Sequence, residues 1–174
     1  MKFIHLADVH LGVVPDKGKA WSEEREQEIK DTFVKVVEAA EEKQVDLILI
    51  AGNLFHVPPS EGMIRDVDYI LSKLTKTKTV IMGGSSDYIA PDSPMANYQF
   101  SSRTICLSPE KISNVYMKDL NVCVTGFSYR DKENTDDILN RIKPAKQGAV
   151  NILLANGGDS NHCPFNKKNL RESN

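Results

Sequence analysis

The segment that decides the fold reads Val45-Asp46-Leu47-Ile48-Leu49-Ile50-Ala51-Gly52-Asn53. It is an almost continuous apolar run ending in Gly-Asn, which is typical of a strand buried on both faces of a parallel sheet. A similar run, Phe3–Ala7, ends in Asp8. Between the two runs, apolar residues recur at helical spacing and predict an amphipathic helix over Ser22–Lys43. The three segments together predict a β-α-β unit with parallel, buried strands.

The chain continues this alternation of strands and helices as far as Gly83, and short extended segments follow. The spacing predicts a second helix over Ser60–Lys73 and a third strand over Thr79–Met82. After Gly83 come short extended segments separated by turn residues, which indicate antiparallel strands. These segments are Thr104–Leu107, Asn114–Met117 and Leu120–Gly126.

Two further elements are predicted towards the end of the chain. Thr135 is a candidate N-cap because two aspartates follow it in the first turn, where the helix dipole favours carboxylates, and a short helix to Ile142 is expected. Ala149–Ala155 predicts a final buried strand. The whole pattern predicts an α/β fold in a single domain over residues 1–174.

Composition excludes several classes of protein. The 174 residues are 40% hydrophobic and 26% charged, which is typical of a globular domain and excludes disordered, collagen-like and membrane-spanning chains. The net charge of −2 provides no global cationic field, so any contact with nucleic acid must be local. Three cysteines without Cys-x-x-Cys spacing argue against a disulfide framework or a structural zinc site. A cytoplasmic location with reduced thiols is expected.

Polar, glycine-flanked residues follow four of the predicted strands. Ligands of parallel α/β sheets bind at the carboxyl ends of the strands, so these residues are expected to lie together. They are Asp8 and His10 after the first strand, Gly52 and Asn53 after the second, Gly84, Ser85, Ser86 and Asp87 after the third, and Asn156 after the last.

In these residues the chain resembles the calcineurin-like metallophosphoesterase family, and the order of elements is similar to the SbcD-type DNA repair exonucleases within it. The family signature is Asp-x-His, Gly-Asp, Gly-Asn-His-Asp, a His after an apolar strand, and Gly-His-x-His. Asp8 and His10 match the first motif, and Gly84 and Asp87 frame the third. Gly-His-x-His is absent, since the histidines are His5, His10, His56 and His162.

The resemblance implies a role for each of these positions. Asp8, His10 and Asn53 correspond to one metal position, and Ser85 and Asn156 to the second. Ser86 stands in the slot of the catalytic acid, and Asp87 is its supporting residue. The implied cofactor is a pair of manganese or similar divalent ions, and the implied fold is a four-layer α/β sandwich, here expected to lack its C-terminal strands.

The substitutions fall on the chemically important positions. Asn53 replaces a metal-bridging Asp and removes a negative charge that would offset the repulsion of two cations. Ser85 replaces an Asn ligand, Ser86 replaces a His, and a serine hydroxyl is no acid near neutral pH. Asn156 replaces a His ligand. We therefore expect weak or absent metal binding and an impaired or lost centre for phosphodiester hydrolysis.

The function has two interpretations at this point. The first is a domain similar to DNA repair exonucleases whose hydrolysis is weak or absent. The second is a non-catalytic binding or scaffolding module that holds DNA, another phosphate-containing ligand, or a partner such as an SbcC-like ATPase. A homodimer is an alternative role for the apolar stripe Met63, Val67, Ile70, Leu71 and Leu74, whose first interpretation is core packing. His56 is expected to be solvent-exposed or helix-capping, with a position facing the cleft as the alternative. Trp21 is either a partner anchor or a packing residue.

Overall fold

A computed structural model describes residues 1–172 of the chain. Its strands are β1 (Phe3–Leu6), β2 (Leu47–Ala51), β3 (Lys78–Met82), β4 (Thr104–Cys106), β5 (Ser113–Met117), β6 (Val122–Gly126) and β7 (Val150–Leu154). Its α-helices are α1 (Ser22–Glu42), α2 (Glu61–Ser72), α3 (Pro94–Asn97) and α4 (Lys167–Glu172), with a 3-10 helix at Ile138–Arg141. The predicted α/β class is confirmed.

The strands form two sheets. The first has the order β1-β2-β3-β4 and is parallel throughout, with β2 in register between Phe3–Leu6 and Lys78–Met82. The second has the order β5-β6-β7, with an antiparallel β5–β6 pair and a parallel β6–β7 pair. The prediction that Thr104–Leu107 joins an antiparallel set is wrong, because this segment pairs in parallel with β3.

The two faces of β2 belong to different hydrophobic cores, which explains its continuous apolar sequence. Ile48 and Ile50 pack towards the helices, in a core that includes Phe33 of α1 and Val67 of α2. On the opposite face, one apolar cluster joins the first sheet to the second. Its buried members are Leu47, Leu49, Ala51, Val80, Met82, Leu107, Met117, Val122, Val124 and Leu154. The result is a helix layer, a parallel sheet and a mixed sheet stacked in that order.

The strands β1 and β7 differ from prediction, because each is the edge strand of its sheet. The side chains of Phe3 and Val150 are 54% and 55% exposed, so neither strand is fully buried. An edge strand has a neighbour on one side only, and an apolar run in the sequence does not distinguish it from a central strand.

The helices α1 and α2 agree with prediction to within a residue or two at each end. Ser60 is the N-cap of α2, and its side chain accepts a hydrogen bond from the Met63 N–H. The predicted helix beginning at the Thr135 N-cap is wrong. Instead the Asn134 side chain accepts a hydrogen bond from the Asp136 N–H, and only the 3-10 turn follows. Among residues 1–172, no helix combines the length and apolarity needed to cross a bilayer.

Candidate functional site

The residues predicted to lie together do meet at the carboxyl ends of the strands. The loop after β1 runs beside the loop after β2, held by backbone hydrogen bonds from the Asp8 N–H to the Gly52 carbonyl and from the His10 N–H to the Asn53 carbonyl. A parallel bridge between Leu11 and Phe55 extends this pairing. The two loops are therefore joined along most of their length, and their side chains keep fixed relative positions.

Asn53 is the centre of the side-chain network. Its Nδ2 donates to Asp8 Oδ1 at 2.8 Å, and its Oδ1 accepts from the Ser86 N–H at 2.9 Å. Both ends of the amide are thus engaged, one with the loop after β1 and the other with the loop after β3. Asn53 itself is buried, and its two bonds are partly shielded from water. The amide links the three loops as a neutral connector.

The Asp87 carboxylate binds backbone groups of the loops after β2 and β3. Its Oδ1 accepts from the N–H groups of Asn53 at 3.0 Å and Gly84 at 2.7 Å, and its Oδ2 accepts from the Phe55 N–H at 3.1 Å. Burial raises the pKa of the Asp87 carboxyl, while the hydrogen bonds from these backbone groups act in the opposite direction. Since this carboxylate faces backbone donors, its role is to shape the loops.

Asn156 approaches the site from β7. Its Nδ2 donates to the Ala51 carbonyl at 2.9 Å. A Cβ placed on Gly84 would lie 2.5 Å from Asn53 Oδ1 and 3.1 Å from Asn156 Oδ1, and one placed on Gly52 would lie 2.9 Å from Asn156 Cγ. The glycines are therefore required by the close approach of the two asparagines, a reason that the motif comparison alone did not give.

Three site residues have left-handed backbone conformations although they are not glycine. The φ angles are 54° at Asp8, 54° at His10 and 53° at Asn53. Such a conformation costs an L-residue roughly 1–2 kcal/mol, somewhat less for Asp and Asn, whose short polar side chains bond locally. Strained backbone of this kind clusters at binding and catalytic sites. Of the seven non-glycine residues with a left-handed conformation in the described part of the chain, these three lie at this end of the sheet.

His10 contacts His56, a pairing that sequence reasoning missed. The ring centroids lie 5.4 Å apart with the planes at 74°, an edge-to-face arrangement. His56 is exposed, as predicted, and its backbone N–H donates to the Leu11 carbonyl. His10 Nδ1 is buried and has no hydrogen-bond partner among the described residues. The bridge between the two loops brings the rings together, and no local sequence signal reports that register.

The donors present do not match a pair of divalent ions. One oxygen of Asp8 is engaged by Asn53, Asp87 faces backbone donors, and the Asn156 amide nitrogen is committed to a carbonyl. Ser85 and Ser86 are half-buried at the rim. Over residues 1–172, no three His, Cys, Asp or Glu side chains are grouped closely enough to hold a metal ion. Two close cations need several anionic and imidazole ligands, which this arrangement does not provide.

Comparison with known proteins identifies the relatives of this chain. It is 25% identical to the DNA double-strand break repair protein Mre11 of Methanocaldococcus jannaschii, over 95% of this chain and 46% of the relative. It is 26% identical to the Mre11 protein of Archaeoglobus fulgidus, over 88% of this chain and 38% of the relative. The chain thus spans less than half the length of these relatives. The family model for calcineurin-like phosphoesterases matches residues 1–173, and the chain belongs to that family.

Proposed function

We propose that this chain is a phosphoesterase-family domain, similar to DNA repair nucleases, in which phosphodiester hydrolysis is impaired or lost. The observation that supports this most directly is the bond from Asn53 Nδ2 to Asp8 Oδ1 at 2.8 Å. An aspartate at position 53 would place a second carboxylate against Asp8, and the two would repel unless a cation lay between them. The neutral amide replaces that repulsion with a hydrogen bond and makes the cation unnecessary.

The remaining chemistry of the site agrees with this proposal. Ser86 occupies the acid slot, and its hydroxyl neither donates a proton readily near neutral pH nor carries a positive charge to stabilise a leaving oxygen. With serine at position 86 the loop framework stays in place, because Asp87 keeps its hydrogen bonds from three backbone N–H groups. In this proposal the scaffold of the site is kept and its hydrolytic groups are lost.

The test is phosphodiester hydrolysis in the presence of manganese. Bis(p-nitrophenyl) phosphate and short DNA duplexes are the substrates, and calorimetry measures manganese binding in the same buffer. We expect no turnover above a protein-free control and no tight binding of two ions. Sustained turnover that depends on manganese, or two tightly bound ions per chain, would overturn the proposal.

A restoration variant sharpens this experiment. Asn53→Asp, Ser85→Asn, Ser86→His and Asn156→His together return the family residues to their positions. If the lost donors are the cause, manganese binding should be stronger in this variant than in the unaltered chain. A control that matches the first two substitutions changes exposed residues outside the site, Asn114→Asp and Ser72→Asn, and should leave manganese binding unchanged.

The second candidate is a binding or scaffolding module, and the retained strain at Asp8, His10 and Asn53 favours it. A site with no further use would be expected to lose conformations that cost stability. The ligand would be DNA or another phosphate-containing molecule, and the partners proposed for the whole protein are an SbcC-like ATPase and a second copy. If DNA binds, its affinity should fall steeply with salt as counterions are released. A cytoplasmic location and a single domain over 1–174 belong to the same proposal.

A further inference from the structure

Two of the four histidines of the chain, His10 and His56, are in contact at the carboxyl ends of the strands. Their ring centroids lie 5.4 Å apart, with the ring planes at 74°. The contact joins the loop after β1 to the loop after β2. The proposed function gives His56 no role, so the pair needs an explanation of its own.

Backbone hydrogen bonds on both sides of the contact hold the two histidines in place. The His10 N–H donates to the Asn53 carbonyl at 3.0 Å, and the His56 N–H donates to the Leu11 carbonyl at 3.0 Å. Between them the Leu11 N–H donates to the Leu54 carbonyl at 2.8 Å. The pairing of the loops therefore fixes the two residues side by side, which reduces the entropy that a ligand bound by both rings would cost.

One nitrogen of this pair has no hydrogen-bond partner. His10 Nδ1 is buried and makes no hydrogen bond to any residue in the described range 1–172. Ring packing accounts for the edge-to-face contact, but it does not account for a buried polar atom that is left unsatisfied. Buried polar atoms are nearly always paired, and an exception calls for a partner such as a bound ion.

The separation of the rings suits two imidazoles that bind one ion. Zinc binds imidazole nitrogen at about 2.0–2.1 Å in tetrahedral geometry, which places the centres of two ligating rings about 5 Å apart. The observed separation of 5.4 Å is close to that value. Imidazole is a favoured ligand of zinc, copper and nickel, whereas manganese favours carboxylate, carbonyl and water oxygens. The pair therefore matches a different class of ion from the manganese that the resemblance implies.

We propose that His10 and His56 form a binding site for one borderline transition-metal ion, Zn²⁺ or Cu²⁺. Among the described residues no third His, Cys, Asp or Glu side chain is grouped with them, so water fills the remaining coordination positions. The site differs from the family position implied at Asp8, His10 and Asn53, because the Asn53 amide nitrogen is bonded to Asp8. It requires neither hydrolysis nor a second ion, so it goes beyond the proposed function, and its failure would leave that proposal unchanged.

The experiment titrates the chain, without a histidine tag, with Zn²⁺ by calorimetry and with Cu²⁺ by electron paramagnetic resonance. We expect one ion per chain, nitrogen ligands in the copper spectrum, tighter binding of Cu²⁺ than of Zn²⁺, and no measurable binding of Mn²⁺. His56→Gln should weaken binding at least about 10-fold, since removing a residue that only orients a metal-binding histidine already costs about 10–100-fold. The control His5→Gln removes an exposed histidine from β1 and should leave the affinity unchanged.

A stability measurement provides a second signal. Because His56 is exposed, His56→Gln should fold with the same urea midpoint as the parent in the absence of metal. Zn²⁺ should then raise the midpoint of the parent but not that of the variant, since a ligand that binds the folded state stabilises it.

Several outcomes would overturn the proposal. One is the absence of Zn²⁺ and Cu²⁺ binding, and another is binding that His56→Gln leaves intact. If Asp8→Asn abolished binding and His56→Gln did not, the ion would lie at the family position instead. Equal losses in His5→Gln and His56→Gln would indicate adventitious binding to surface histidines.

Discussion

The substitution Asp87→Asn tests whether the buried carboxylate holds the site loops together. In the folded chain, Asp87 accepts hydrogen bonds from three backbone N–H groups, two at Oδ1 and one at Oδ2. Asparagine retains one oxygen but places an NH₂ group opposite the Phe55 N–H. The Phe55 N–H then loses its hydrogen bond to a charged group, which is worth about 1.5–3 kcal/mol, and is left buried without a partner. We expect the free energy of unfolding to fall by about 3 kcal/mol.

Urea denaturation followed by circular dichroism measures this loss. The control is Asp92→Asn, which removes the same charge from an exposed loop position and should change the free energy of unfolding by less than about 0.5 kcal/mol. A loss below about 1 kcal/mol for Asp87→Asn would refute the reasoning, because a carboxylate with three donors would then be exchangeable for an amide at no real cost.

Three further predictions concern Glu41, Cys106 and Gly84. Hydrogen bonds from the Thr75 hydroxyl and N–H lower the pKa of Glu41 below 4.5, so the unfolded chain binds more protons and this contribution to stability is lost as the pH falls. The urea midpoint of Glu41→Gln should therefore lie below that of the parent at neutral pH, and the difference should shrink as the pH falls below 4.5. Burial raises the pKa of the Cys106 thiol to about 12, so iodoacetamide at neutral pH should modify it far more slowly than in denatured protein. Gly84→Ala places a Cβ 2.5 Å from Asn53 Oδ1 and should destabilise the chain by roughly 1–3 kcal/mol in urea melts.

Each of these has a result that contradicts it. A gap between Glu41→Gln and its parent that persists in acid would mean that the carboxylate is not the source. Rapid labelling of Cys106 in the native chain would show that its surroundings admit solvent and reagent. Gly62→Ala is the control for Gly84→Ala, because its Cβ meets nothing closer than 3.9 Å and lies in a helix, where alanine is favoured. Equal destabilisation by the two would remove the steric explanation.

The first half of the fold was predictable because each of its elements has one strong periodic signal. The strand β2 is apolar throughout, β3 ends in the apolar run Val80-Ile81-Met82, and α1 has a clear helical spacing. The direction of a strand and its position in a sheet could not be predicted in this way, because they depend on partner strands distant in sequence. The segment Thr104–Cys106 has the composition of any short strand, and only its pairing with β3 makes it parallel.

The site was predictable at the level of position but not of contact. The rule that ligands bind at the carboxyl ends of strands brought Asp8, Asn53 and Asn156 to one place, as the structure has them. The bond from Asn53 to Asp8 and the contact of His10 with His56 depend on side-chain rotamers and on the register between loops. Neither is encoded within a short window of sequence.

The central strand β2 has a consequence for how the molecule unfolds. Its five residues are all buried, and they supply apolar side chains to the cores on both of its faces. Departure of this strand would remove apolar side chains from both cores at once. The helix layer and the mixed sheet should therefore exchange their slowest amide protons at a common rate, as a single cooperative unit.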